Sequence, residues 1–366
     1  HNLAILGASR PESPRLTIRP WFDFIIIDEA SQIDVATSTL ILSKRAPEGS
    51  CIIAGDDLQL PPIHQAEPPH NLETTVQSLY NYYRHFCGIQ PFSLDVNYRS
   101  NNTIVGFTRM AGYSEDLSSF SPDLRLNFVA PLDDAQPVDW PEELHWTSEW
   151  AKFLDPAYPA VSFVYRDPLS TQINDFEADS VAALIWLMRG RLADQLLNEQ
   201  NPDGTTQPVS NTPYSIEDFW RRAVGVVTPH RAQRSRVISR LRSLFPRDPL
   251  DAISGAVDTV ERYQGQQRDV IIASYGIGDP DLIEAEDEFL YDLNRFNVLA
   301  SRARAKVIVF CTTALLEHIS NDIKVIEKSR LLKTFVSSYC LDPRRIQLGY
   351  YKDGNFISKS GEVRRR

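Results

Sequence analysis

Phe22-Asp23-Phe24-Ile25-Ile26-Ile27-Asp28-Glu29-Ala30-Ser31-Gln32 decides how this chain reads. Residues 22–28 are apolar and β-branched, as in a buried strand. The run ends on two carboxylates. An aspartate at a strand end can hold Mg²⁺, and a glutamate beside it can activate water. Such a pair usually works with a glycine-rich phosphate loop ending in Gly-Lys-Ser/Thr. The chain has no Gly-Lys dipeptide.

Working outward, residues 33–44 carry Ile33, Ala36, Leu40 and Ile41 at helical spacing. Ser50-Cys51-Ile52-Ile53-Ala54 is a second buried strand, running into Gly55-Asp56. Strand, helix and strand in this order indicate a parallel α/β sheet, and such sheets hold ligands at the carboxyl ends of their strands. Asp28-Glu29 and Asp56-Asp57 both fall there. The prolines of Gly55-Asp56-Asp57-Leu58-Gln59-Leu60-Pro61-Pro62 stop the strand. Gln59 is thereby placed to hydrogen-bond a terminal phosphate or an attacking water.

Further along, residues 75–87 read as an aromatic-rich helix and 161–165 as a strand. A long helix is expected over 175–197, a strand over 224–228 and a helix over 231–244. Residues 269–274 and 306–311 are further strands. Between 114 and 160 lie six prolines, ten acids against two bases, and Trp140, Trp146 and Trp150. Tryptophans need packing partners, so this is a loop-rich insertion and not a linker.

At 366 residues with 42% hydrophobic side chains, the chain suits two domains with full cores. No apolar run reaches membrane-spanning length. The opening residues, His1-Asn2-Leu3-Ala4-Ile5-Leu6-Gly7, lack a secretory pattern and a Met, as a chain cut from something longer would. Cys51, Cys87, Cys311 and Cys340 are widely spaced, which fits free thiols in a reducing, intracellular compartment, cytoplasmic or nuclear. The net charge of −10 is uneven: residues 219–247 hold eight arginines and no acid, and 341–366 carry seven bases against three acids. Local patches, not net charge, govern partner choice.

The Asp28-Glu29-Ala30-Ser31-Gln32 and Gly55–Pro62 segments resemble motifs II and III of superfamily 1 helicases, in the upframeshift-type, senataxin-like branch. Leu94-Asp95-Val96-Asn97-Tyr98-Arg99-Ser100 is similar to that family's L-x-x-Q-Y-R segment, with Ser78-Leu79-Tyr80 before it. Thr228-Pro229-His230-Arg231-Ala232-Gln233 resembles T-P-Y-x-x-Q. Residues 257–269 resemble motif V, and 295–304 motif VI. The likeness spans most of residues 1–315.

The resemblance implies two tandem RecA-like P-loop NTPase modules, the first truncated at its N-terminus. Residues 1–93 would be the end of the first module and 94–340 the second, with the insertion at 114–160 and a basic tail at 341–366. It implies an ATP- and Mg²⁺-dependent helicase or translocase tracking a single strand 5′ to 3′, DNA ahead of RNA. The phosphate loop would lie upstream in the same protein, so this chain alone would bind ATP poorly. Asp28 would hold Mg²⁺, and Glu29 would be the general base. Gln59 would sense the γ-phosphate, and Arg99 and Arg302 would be arginine fingers. Gly265 would let the backbone approach the nucleotide. Gln267 stands where the family commonly has a ribose-holding Glu, which leaves nucleotide preference open. Thr228, Pro229, Arg231, Arg234 and Thr259 would line the strand-binding surface. The alternative is a helicase-derived module that binds strands or protein partners without hydrolysis. The insertion at 114–160 is either a partner surface or packing for its own module.

Overall fold

The structure, a computed structural model, describes residues 21–62, 77–193, 212–263 and 265–366. The chain divides into two compact units, His1–Ser93 and Leu94–Arg366.

In the first unit, strands β1 (Phe22–Ile27) and β2 (Arg45–Ile53) pair in parallel, joined through helix α1 (Val35–Leu42). Asp34 caps the helix, its Oδ1 accepting the Thr37 amide at 2.6 Å. The register sets Ile26 beside Ile52 and Ile27 beside Ile53. Since side chains alternate along a strand, Ile25, Ile27, Cys51 and Ile53 share one face, packed with Ala30, Ile33, Ile41 and Leu79. Phe24, Ile26 and Ile52 lie on the other face and are 50–63% exposed.

The aromatic helix expected at 75–87 is α-helical over Leu79–Asn81 and then widens to a π-helical turn over Tyr82–Phe86. The Cys87 amide reaches back to the Tyr82 carbonyl at 3.1 Å, and the Tyr82 and Phe86 rings stack 5.0 Å apart. Residues 75 and 76 lie outside the described residues.

The second unit is built on a seven-stranded sheet. Its strands are β5 (Ala160–Tyr165), β6 (Val224–Val227), β7 (Val257–Asp258), β8 (Arg268–Ser274), β9 (Ala303–Thr312), β10 (Arg344–Lys352) and β11 (Asn355–Arg365), in spatial order β10-β11-β5-β9-β8-β6-β7. The run from β5 to β7 is parallel. Every residue of β5, β6 and β8 is buried, as expected for parallel strands covered on both faces. Strands β3 (Val96–Asn97) and β4 (Ser118–Ser119) form a separate small parallel pair.

On one face of the large sheet, Phe163, Val226, Ile272 and Phe310 share a core with helices α3 (Asp175–Met188) and α4 (Arg231–Leu244). Helix α2 (Asn102–Met110), α5 (Leu293–Ser301) and the turn after α6 (Ile323–Thr334) meet through Phe107, Phe296 and Phe335, with ring centroids 4.9–5.8 Å apart.

Three expectations change in detail. The helix expected at 175–197 stops at Met188, because Arg189 leaves helical backbone and Gly190 turns to φ +77°; residues 194–197 lie outside the described residues. The insertion at 114–160 packs on its own unit: Trp140 meets Trp146 and Trp186 edge to face at 4.9 Å, and Trp150 is buried. Residues 344–365, read as a basic tail, form the β10–β11 hairpin, with β11 antiparallel to β5. The signal for it was local. Asp353 at φ +50° and Gly354 at φ +78° make the turn that Asp-Gly favours, while Ile346, Leu348 and Tyr350 alternate inward. No helix among the described residues is long and apolar enough to cross a membrane.

Candidate functional site

At the carboxyl end of the first unit's strands, two backbone bonds lock the β1 and β2 exits together. The Ala54 amide donates to the Ile27 carbonyl and the Ala30 amide to the Ala54 carbonyl, both at 2.8 Å. The exit loops meet at Gly55, where a Cβ would lie 3.0 Å from both the Ser31 amide and the Tyr80 ring. A side chain there would push both neighbours back by a few tenths of an ångström. Asp28 and Glu29 are exposed. Glu29 sits at φ +53°, a left-handed conformation uncommon for residues other than glycine. Its amide donates to Asp28 Oδ1 at 2.9 Å, and its Oε2 accepts Gln32 Nε2 at 2.8 Å.

Across the gap, Asp56 organises the second loop. Its Oδ1 accepts the Leu58 amide at 3.1 Å, and its Oδ2 accepts Gln59 Nε2 at 2.6 Å. Its own amide donates to Ser31 Oγ at 3.4 Å. Arg84 pairs with Asp57 and ties the π-helical turn to this loop. Asp28, Glu29 and Gln59 are thus gathered on adjoining strand exits. Among the described residues no group of three or more His, Cys, Asp or Glu could enclose a metal. A single exposed carboxylate still fits Mg²⁺, which commonly takes one or two carboxylates and completes its shell with water and substrate phosphates. Asp28 is the residue that would hold it.

In the second unit, the remaining candidates divide between opposite ends of the parallel sheet. Gln267 immediately precedes β8, and Ser301-Arg302 precede β9. Arg99 joins them at this amino end: its Nε donates to Gln267 Oε1 at 3.3 Å and its Nη1 to the Ser301 carbonyl at 3.0 Å. Asn97 shapes the approach, its Oδ1 accepting the Arg99 and Ser100 amides at 2.8 Å. The next residues clamp onto β9, with Ser100 Oγ on the Ala303 carbonyl at 2.7 Å and Asn101 Nδ2 on that of Ala305 at 2.8 Å. Arg302 is only 2% exposed, and its Nε donates to the Val298 carbonyl at 3.3 Å. Gly265 turns at φ +78° with open space where a Cβ would stand. Its backbone, not crowding, calls for glycine.

At the carboxyl end, Thr228 and Thr259 follow β6 and β7. Thr228 is buried, its hydroxyl donating to the His230 carbonyl at 2.9 Å. Thr259 is half-buried, and its amide donates to Asp258 Oδ1 at 2.9 Å. A pocket here is lined by Thr228, Pro229, Val260, Tyr275, Phe289 and Arg295. Arg295 lies 4.2 Å over the Phe289 ring and pairs with Glu261. His230 Nε2 meets Glu286 Oε2 at 2.6 Å.

Half of the eight arginines of 219–247 pair with acids of their own unit. Arg234 pairs with Asp258 at 3.2 Å and donates to the Val257 carbonyl at 2.9 Å. Arg236 and Arg240 each pair at 2.6 Å, with Asp175 and Asp179. Arg221 pairs with Asp218 at 2.8 Å. Arg231, exposed at the first turn of α4, makes no side-chain bond to a described residue.

Sequence reading missed a buried network at the base of this face. Glu177 Oε1 accepts the Tyr165 hydroxyl at 2.7 Å, and Oε2 accepts Ser274 Oγ at 2.6 Å and the Gly276 amide at 2.9 Å. Gln233, the last residue of the T-P-x-x-x-Q segment, donates to Ser274 Oγ at 2.9 Å. Burial pushes the Glu177 carboxyl up to about 7 against these bonds. No local motif marks Glu177, which stands between Asp175 and Asp179 in the first turns of α3.

Compared with known proteins, residues 75–314 match the model of an AAA domain. The chain is 25% identical over 329 residues to the DNA replication ATP-dependent helicase/nuclease dna2 of Schizosaccharomyces pombe, covering 86% of this chain and 20% of that protein. It is 25% identical over 317 residues to the DNA polymerase alpha-associated DNA helicase A of Saccharomyces cerevisiae, covering 82% and 40%. With helicase sen1 of S. pombe it shares 25% over 296 residues, covering 79% and 14%. The chain therefore spans well under half the length of these relatives.

Proposed function

From the premise that this chain belongs to the AAA_12 family of AAA domains, we propose that it is a C-terminal portion of an ATP-dependent nucleic-acid helicase of superfamily 1. The observation that carries the reading is the gathering of Asp28, Glu29 and Gln59 on adjoining exits of two parallel strands. The similarity to relatives named as helicases supports it.

In this reading Asp28 would hold Mg²⁺, which would offset negative charge on the nucleotide's phosphates. Glu29 accepts a proton from the attacking water, and Gln59, held by Asp56, orients that water or the γ-phosphate. Arg99 and Arg302 are the arginine fingers of this reading. Phosphoryl transfer spreads negative charge over the equatorial oxygens, where one guanidinium contributes roughly 10³–10⁵ in rate. The strand runs past Pro229, Arg231 and Thr259, held mainly through its phosphates, while Thr228, buried and bonded to the His230 carbonyl, shapes the loop beneath them. The upframeshift-type, senataxin-like branch, 5′ to 3′ movement and DNA ahead of RNA complete the proposal.

The phosphate loop has to come from outside these 366 residues, which contain no Gly-Lys pair. One observation favours the alternative of a non-catalytic binding module: Arg302 is buried and bonded within its own unit.

Glu29→Gln decides between the two. In the protein together with its phosphate loop, strand-stimulated ATP hydrolysis should fall by roughly 10²–10⁴-fold, the usual worth of a general base, while nucleotide still binds. Unchanged turnover removes Glu29 from the mechanism. Strand binding with no hydrolysis in the unmutated protein selects the non-catalytic module.

A further inference from the structure

Arg99 and Gln267 are 168 residues apart, yet their side chains meet at 3.3 Å. The Ser301 carbonyl accepts a second donor of the same guanidinium at 3.0 Å. Two acceptors on different donor nitrogens of a planar group limit both its tilt and its rotation. Gln267 is exposed, so its side chain is not placed there by burial.

The type of acceptor matters. A carboxylate in this place would form a charge-assisted pair with Arg99 and neutralise part of its charge. The amide oxygen of Gln267 and the Ser301 carbonyl are neutral, so these two bonds orient the guanidinium without drawing on its charge. We infer that Gln267 is a positioning residue for Arg99, acting on the nucleotide through it and not as the sugar contact that its place in motif V implies. The inference rests on the proposal that Arg99 stabilises the transferring phosphate.

The two functions separate in kinetics. A group that orients a transition-state arginine acts on kcat, whereas one that holds the ribose acts on KM and on sugar preference. With the phosphate loop present, Gln267→Ala should lower kcat roughly tenfold, the scale of one hydrogen bond in a catalytic group. KM for ATP and the ratio of ATP to 2′-deoxy-ATP should stay as in the unmutated protein. Arg99→Ala should lower kcat further, and Arg99→Ala with Gln267→Ala should be no worse than Arg99→Ala alone. Gln267→Glu keeps an acceptor oxygen but pairs with the Arg99 charge, so it should restore the slow Nε–H exchange and recover only part of the loss in kcat.

In the 366-residue chain, the Arg99 Nε–H resonance should exchange faster with water in Gln267→Ala. An unchanged kcat with a raised KM or an altered sugar ratio in Gln267→Ala overturns the inference, as does unchanged Nε–H exchange. If Arg99→Ala itself leaves kcat untouched, the proposed role of Arg99 fails and takes this one with it.

Discussion

Arg231 and Arg234 stand three residues apart on one helix and read alike in the sequence, as two cations of an arginine-rich strand surface. Their surroundings separate them. Arg234 bonds the Val257 carbonyl and Asp258, whereas Arg231 is exposed with no described partner for its side chain. Arg231→Glu should therefore weaken single-strand binding and reduce its log–log salt slope by about 1, leaving the melting temperature nearly unchanged. Arg234→Glu should chiefly lower the melting temperature, because it sets an acid beside Asp258. Fluorescence anisotropy across a salt series, with thermal unfolding of the same samples, checks both. Equal losses of affinity without loss of stability would return Arg234 to the strand surface. Asn97 shows the same contextual dependence: in place of the family's usual Gln, its short side chain caps the Arg99 and Ser100 amides at 2.8 Å.

Among the elements, the β10–β11 hairpin differs most from its sequence reading. Seven bases in 26 residues suggested a solvated tail. Position along the strand resolves this: the basic side chains of β10 are exposed at its two ends while Ile346, Leu348 and Tyr350 in its middle are buried, and Val363 is buried against β5. The basic side chains near the chain end find partners too. Arg365 pairs with Asp342 at 2.7 Å and lies 3.9 Å over the Tyr158 ring. At Gly361, a Cβ would stand 2.4 Å from the Phe163 ring and 2.6 Å from the Val164 carbonyl. Gly361→Val should destabilise the second unit by about 1–3 kcal/mol, the cost of overpacking a core. Urea unfolding measures it, and a midpoint equal to that of the unmutated chain would mean the hairpin is not held against β5. The motif V segment is a second case. It leaves β7 at the sheet's carboxyl end, makes the short helix Val260–Tyr263, and reaches the amino end at Gln267. One stretch of sequence thus supplies residues to both ends of the sheet.

For the molecule as a whole, the most consequential buried charge is that of Glu177, which links β5, the end of β8 and helix α3. Unfolded, its carboxyl releases a proton near 4.5; folded, burial holds the proton until about 7. Between those values the unfolded chain ionises and the folded one does not, so stability falls as pH rises from about 4.5 to about 7 and levels off on either side. Asp179, raised by burial to about 6 against the pull of Arg240, adds a contribution of the same sign. The difference between the unmutated chain and Glu177→Gln isolates the Glu177 share. The variant should lose that part of the decline in urea midpoints measured from pH 4 to 8; parallel curves would refute it.

The α/β class with its mainly parallel sheet could be read from the chain because it rests on neighbouring residues. Apolar runs mark covered strands, helical spacing marks their partners, and a carboxylate pair after a strand marks a chemical site. What the tertiary structure alone decided rests on residues far apart in sequence. It set Arg99 against Gln267, buried Arg302, turned Thr228 inward, paired Arg234, Arg236 and Arg240 with acids, and folded the basic tail onto β5. Charge and hydrogen-bonding capacity belong to a residue, but the partner that consumes them is chosen by packing.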